Sequence, residues 1–440
     1  MNFKKFFEIC AAKGIQQAQI QISRSKTTSV KLFEHEIDSF KVSESQSVVA
    51  CGVVNGKFGS ASTQKLTKET FEYLADEILL TASFNEKEEV ASLFEGSPKY
   101  HKGNVFNKTL PTIPMEEKIA MLFRLEKALY DADPCIEKAD GVSYGEVEAE
   151  KEFYNSFGLK LKQKSNYFYF VGGVVARRGE EVKTYYDDFL DCDFSKFEPE
   201  KFVQGIVTKC LNKFGGAPCK AGKYPTVLGR EIVASLMSAF LGACDAESVQ
   251  KHSSFLEGKL GTKVASSKLT IEEKPLTKNV YFEYFDAEGV ATRNKTIVKK
   301  GVLQTYFHNR ETAKKDGVES TGNGEWQGSR IGIDFGSIFV KPGKKSFDEM
   351  VAKIKDGVYI TEIGGLHAGL NPISGDFSCQ AEGYRIRDGK LAEPLSLITL
   401  SGNILKMFAD LKEFDNVIHF NGNSITVADA YIKKMSIGGN

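Results

Sequence analysis

A charge-free apolar segment in the middle of the chain most constrains what it can fold into. Between Ile232 and Cys244 the residues Val233, Leu236, Met237, Phe240, Leu241 and Cys244 recur at helical spacing, which predicts a helix with one face buried. Arg230 and Glu231 precede it and Asp245 and Glu247 follow it, so the helix enters and leaves a core through polar ends. Gly229 offers only a weak N-cap. This is the longest apolar run, and as a helix it spans only about 20 Å, too short for a bilayer.

The 440 residues suffice for two or three domains, each with its own core. Lys plus Arg and Asp plus Glu both number 58, so the formal net charge is zero and a globally basic nucleic-acid binder is disfavoured. The eight Cys, at 10, 51, 135, 192, 210, 219, 244 and 379, form no C-x-x-C pair and have no close His neighbour, which suits reduced thiols in a cytoplasm. Two Lys before apolar residues at the N-terminus resemble a signal peptide, but Glu8 and Lys13 interrupt the run, so an amphipathic first helix is expected. A soluble, cytoplasmic protein with no membrane partner is the expectation.

Along the chain, strands are expected at 18–23, 29–33, 37–42, 48–54 and 57–62, the last two joined across Asn55-Gly56, whose positions both favour positive φ. A helix at 68–82 completes an α+β domain over 1–90. Pro98, Pro111 and Pro114 mark 91–114 as a linker. A second α+β domain, 115–216, begins with a helix at 115–131, continues with strands at 136–144, 146–155, 159–164 and 167–177, and ends with a helix at 202–214. From 217 to 440 the chain reads as mostly β around the one buried helix, with strands at 269–273, 280–285, 296–299, 302–307, 338–341 and 358–364, and a helix at 347–354. The expected class is therefore α+β: two α+β units followed by a β-rich domain.

Three stretches carry a family resemblance. The order Pro225-Thr-Val-Leu-Gly229, apolar helix, Ser253-Ser254-Phe255 resembles the third domain of TldD/TldE (PmbA) proteins. The Ser320-Thr-Gly-Asn323 loop is similar to another family segment, and Gly364 to Ser378, with its Gly375-Asp376-Phe377-Ser378 ending, resembles the family's G-V-N-x-x-T-G-D-F-S. In the TldD branch the helix carries H-E-x-x-x-H, two zinc ligands and a general base. Laid on this chain, the motif falls on Ser238 to Ala243, with Ser238, Ala239 and Ala243 at the His, Glu and His positions and Gly242 retained. The branch's further Cys ligand aligns with Asn421, and no Cys follows Cys379. The resemblance thus points to the PmbA/TldE branch, with no catalytic residue, metal or cofactor.

Several residues admit sharper readings. Ser238 as a nucleophile lacks a G-x-S-x-G elbow, and a mid-helix Ser bonding back to a carbonyl is the simpler expectation. Cys244 reads as a small buried hydrophobe. The resemblance sets Gly364, Gly365, His367, Asn371, Gly375, Asp376 and Ser378 beside a peptide cleft. A structural or surface role is preferred for His367, whereas for Asp376 and Ser378 ligand contact and turn formation both stand. The glycines at 322–332 lack the P-loop Lys, and the Lys pairs at 299–300, 314–315 and 344–345 read as solvated loops.

The resemblance implies a non-catalytic subunit that pairs with a TldD-like metalloprotease, or with itself, around an unfolded peptide. Two alternatives are a protein-binding modulator of DNA gyrase, without direct nucleic-acid contact, and an independent hydrolase with a different nucleophile. Because Ser238, Ala239 and Ala243 lack zinc-ligating groups, elemental analysis of the purified chain should find no stoichiometric zinc; one zinc per chain would refute the assignment.

Overall fold

Ile20, Ile22 and Val30 alternate onto one face of a single long strand, β1 (Gln17–Phe33), because polar residues between them keep the pleat without needing a core. The segments expected as pairs of short strands are continuous: β2 is Glu36–Val54, β4 Ile136–Asn155 and β5 Lys160–Arg178, while β3 is Lys57–Thr63 and β6 Glu181–Asp191. Asn55 and Gly56 take the expected positive φ, 50° and 77°, in the β2–β3 turn. The acidic, half-exposed β6, an edge strand, was not anticipated because no apolar alternation marks it. This computed structural model describes residues 3–85, 91–418, 420 and 424–440.

The two units on either side of 91–114 share one six-stranded sheet, ordered β3-β2-β1-β4-β5-β6. The β1–β4 pairing, Gln19↔Asn155 through Lys31↔Ser143, joins strands more than 100 residues apart, a non-local contact with no local signature. Helices α1 (Lys4–Ala12) and α2 (Lys68–Ser83) pack over Ile20, Ile22, Val48 and Ala50 at one end. At the other end α3 (Met115–Asp131) and α4 (Pro199–Leu211) cover Val30, Tyr144, Phe168 and Phe170. Helix α4 starts three residues before the expected 202, since Pro199 is tolerated in a first helical turn.

The C-terminal part is built on a closed sheet. Strand β7 (Gly222–Leu228) pairs with Asp356–Gly364, which pairs with Asp376–Arg387, then Lys390–Asn403, then Ala430–Gly438, which returns to β7. Closure removes the sheet edges among these strands. Helix α5 (Arg230–Gly242) follows β7 and buries Ile232, Val233, Leu236, Met237, Phe240 and Leu241. Its core cluster takes Val358, Phe377 and Leu400 from the closed sheet and Ile271, Val298 and Ile338 from a smaller five-stranded sheet. Two expected strands are shorter or absent: 302–307 is extended only at Val302–Leu303, and 280–285 is irregular, with its Phe282 carbonyl engaged by the Gln163 side chain of the first sheet. A helix at Arg310–Asp316, capped by Asn309, went unanticipated. The helix expected over 347–354 ends at Val351.

The two parts meet along 282–290. Gln19 Nε2 donates to Ala287 O at 2.8 Å, Gln163 Nε2 to Phe282 O at 2.6 Å, and Lys151 pairs with Glu283 at 2.7 Å. Inside this seam Asp286 accepts from the backbone N–H groups of Gly324, Glu288 and Val290, while Glu288 accepts from Arg310 N. Both carboxylates crowd Gly324: a Cβ there would lie 2.9 Å from Glu288 Oε2 and 3.2 Å from Asp286 Oδ2. Burial, and for Glu288 also the neighbouring Asp286, pushes Asp286 up to about 7 and Glu288 up to about 8.

Two outcomes are expected. Phe240 is fully buried, so Phe240→Asp should abolish soluble folding, and a stable soluble variant would show that this face is exposed; even Phe240→Ala should cost about 3–5 kcal/mol in denaturant titrations. The folded chain keeps protons on Asp286 and Glu288 that the unfolded chain has released, so their contribution falls as pH rises from about 4 to about 8. Glu288→Gln should lessen that loss by on the order of 1–2 kcal/mol, read as the difference from wild type between about pH 5 and pH 8.

Candidate functional site

The start of α5 is held by a residue nearly 200 positions away. Gly229, the N-cap, has no side chain to offer, and Asp429 Oδ1 accepts from Arg230 N at 2.9 Å instead. Tyr359 donates to the other Asp429 oxygen at 2.9 Å, and Gly229 N donates to Ile360 O at 2.8 Å. These bonds fix the helix against the closed sheet and decide which of its faces is left open.

That open face carries Glu231, Ser235, Ser238, Ala239 and Gly242, at helical spacing opposite the buried stripe. Ser238 and Ala239 are half-buried and Ala243 is buried; a Cβ on Gly242 would meet nothing within 4 Å. The back-bond expected of Ser238 is made by Ser235, whose Oγ donates to Glu231 O at 2.9 Å, and among the described residues Ser238 Oγ has no partner. A hydroxyl and two methyl groups do not fit a zinc ion, and among the described residues no three His, Cys, Asp or Glu converge as a metal group. Asn421 lies outside the described residues. Cys244 is buried with its Sγ 3.6 Å from Phe240 O, and burial raises its thiol far above the ordinary range, which suits a packing role.

The glycine-rich segment leaves the sheet at Gly364, turns at Gly365 with φ 74°, and forms a short helix Leu366–Gly369. Leu366 and Leu370 pack on the core, while His367 is exposed. Asn371 Oδ1 accepts from Ile373 N and Ser374 N, and Gly375 N donates to Asn371 O at 2.8 Å. Gly375, with φ 75°, presses on Phe255, where a Cβ would come within 3.1 Å of the ring. Phe255 in turn lies 6.5 Å, centroid to centroid, from Phe240 of α5, so the turn leans on the helix through that ring.

Asp376 bonds Ser374 Oγ at 2.8 Å and Asn403 Nδ2 at 2.9 Å, and these two contacts, Asn403 first, hold its carboxyl below the usual range. Asp376 therefore closes the turn, while Ser378 is exposed on the strand beyond. Asn403 also donates to Ser374 O and caps the helix Ile404–Ala409. The structure brings Asn371, Gly375 and Asp376 together in one turn, with Gly364, Gly365 and His367 on its approach.

Sequence reasoning missed the networks that seat the Ser320–Asn323 loop. Asn323 Nδ2 donates to Glu273 Oε1 and Asp334 O, both at 2.8 Å, Thr321 Oγ1 donates to Asn323 Oδ1 at 2.7 Å, and Glu273 pairs with Lys295. Glu273 and Lys295 lie on short paired strands whose apolar neighbours dominate the pattern; only a charge at an inward strand position could have flagged them. Among the described residues no Ser or Cys side chain bonds a His ring: His252 pairs with Glu257, and buried His308 has an unpartnered Nδ1.

Comparison with known proteins agrees with this architecture. Residues 221–439 match the PmbA/TldA metallopeptidase C-terminal domain and residues 108–214 match the PmbA/TldA metallopeptidase central domain. A protein named metalloprotease from Methanothermobacter thermautotrophicus is 28% identical over 414 residues, covering 92% of this chain and 88% of the relative. The solved structure of a candidate modulator of a DNA gyrase from Thermotoga maritima superposes with a TM-score of 0.91 at 27% identity, over 99% of this chain and 100% of that one. TldE from Thermococcus kodakarensis, at 23% identity, has the same fold with a TM-score of 0.91 over 99% of this chain and 100% of its own. With both family domains matched in order over most of its length, and the closed sheet and core helix in place, this chain belongs to the PmbA/TldD metallopeptidase family.

Proposed function

We propose that this chain is the non-catalytic, PmbA/TldE-type subunit of a metalloprotease complex that acts on unfolded peptides. The observation that carries the reading is the residue set of α5 and its C-cap: the helix is kept, capped and packed, yet half-buried Ser238 and Ala239 and buried Ala243 offer neither zinc ligands nor a base. What such a helix retains is shape, a wall of small side chains beside a rigid turn, along which an extended peptide could pair through its backbone.

A second feature supports a protein partner. Among the described residues, 36–47 of β2 pair only with β1, because β3 begins its pairing at Val48, so a long strand edge there is unpaired. Phe33, Ile37, Phe40 and Val42 on the same hairpin are 42–53% exposed. In the proposed complex this edge and its apolar side chains contact the partner subunit, either a TldD-like chain or a second copy. The same surface favours, as a second reading, docking on another protein of the kind suggested by the gyrase-modulator name of the Thermotoga relative, with zero net charge arguing against direct nucleic-acid contact.

Peptidase assays on an unstructured peptide test the proposal, with this chain alone and mixed with a TldD-like protein, each with and without a zinc chelator. Cleavage is expected only in the mixture and is lost on chelation. Chelator-resistant cleavage by this chain alone, with contaminants excluded, would overturn the reading.

A further inference from the structure

We propose that this chain also holds an oxyanion-binding pocket, formed by Lys259, Lys263 and Lys406 and independent of any peptidase role. The pocket, about 520 Å³, opens between segment 259–267 and the helix Ile404–Ala409, with Ser266, Ser267 and Leu405 also in its wall. Its volume falls among those of small-molecule sites, roughly 300–1,000 Å³. Among the described residues no acidic side chain lines it.

The walls are held by backbone bonds. Val264 N and Ala265 N both donate to Gly301 O, and Lys263 forms a bridge with Val302. Ser266 N donates to Phe408 O at 2.8 Å, which ties the loop directly to the helix across the pocket. Val264, Ala265 and Phe408 are buried in the core, so the backbone beside Lys263 and Lys406 is held in place. The first N–H groups of that helix are already taken by Asn403, at 3.1 and 3.3 Å, so the side chains and not the helix terminus supply the field.

Charge sets the chemistry of the pocket. The chain is neutral overall, and many of its lysines sit beside carboxylates: Lys13 by Glu72 and Asp76, Lys162 by Glu150 and Glu152, Lys213 by Glu362. Among the described residues none of Lys259, Lys263 and Lys406 has such a partner, and Glu257, close in sequence, is engaged by His252 at 2.6 Å. Three like charges around one concavity repel one another unless an anion joins them. Ammonium groups are compact donors that adapt to phosphoryl or carboxylate oxygens, and the Ser267 hydroxyl, without a partner among the described residues, adds a further donor. The matching ligand is a small, multiply charged oxyanion whose carbon or phosphate skeleton rests against Leu405 and Val264.

Isothermal titration of the full chain with pyrophosphate and, separately, with citrate, at constant ionic strength, tests the site. Saturable binding of at least one anion at one site per chain is expected; pyrophosphate alone would assign phosphoryl recognition, and citrate alone carboxylate recognition. Lys406→Glu should weaken that binding by about tenfold or more, and Lys263→Gln should weaken it less, with circular dichroism spectra unchanged. Absence of saturable binding with both anions, or an unchanged affinity in folded Lys406→Glu, would overturn the proposal.

Discussion

The closed sheet of the C-terminal part depends on how one helix is seated in it. Helix α5 begins where β7 ends, and Asp429 supplies the acceptor for its first N–H, that of Arg230. Asp429 stands immediately before Ala430–Gly438, the strand that pairs with both β7 and Lys390–Asn403 and so closes the sheet. Capping the helix and closing the sheet are thus one event, made by residues about 200 positions apart. Burial pushes the Asp429 carboxyl up, while the bond from Tyr359 and the Arg230 N–H pull it back down. A carboxylate in this position complements the helix dipole as well as the orphan donor.

Around that frame the molecule uses buried polar groups to set position. Lys118 reaches Glu146 and Leu110 O beneath α3, with Tyr144 donating to the same carboxylate at 2.6 Å. Glu273, Lys295, Asn323 and Thr321 do the equivalent for the loop that carries Gly324 into the seam. Such groups are costly to desolvate, and removing one partner strands the other, so they tolerate few alternative packings. The seam between the two parts follows the same logic, with side chains of the first sheet bonding carbonyls of an irregular segment.

This rigidity lets the exposed positions of α5 vary without loss of the fold. Ser235, Ser238 and Gly242 lie outside the buried stripe, while half-buried Ala239 packs against the core cluster and Ala243 belongs to it. The turn at Asn371 to Asp376 is equally self-sufficient: its bonds run among Asn371, Ser374, Asp376 and Asn403, and its contact with α5 passes through Phe255. Its glycines answer backbone needs, a positive φ at Gly365 and Gly375 and close approach to a ring at Gly375.

The sequence by itself determined the elements whose signals are local. The buried face of α5 shows in apolar residues at helical spacing, the β2–β3 turn in Asn55-Gly56, and the span Met115–Asp131 in its amphipathic period. It also determined the identities of Ser238, Ala239 and Ala243, since residue identity needs no coordinates. Only the tertiary structure decided that the strands of the first 200 residues form one sheet, that Asp429 caps α5, that Asp286 and Glu288 share one buried place, and that Lys406 lines one pocket with Lys259 and Lys263. Each of these joins residues by packing rather than by spacing along the chain, and a period of 2 or 3.6 carries no information about a partner many positions away.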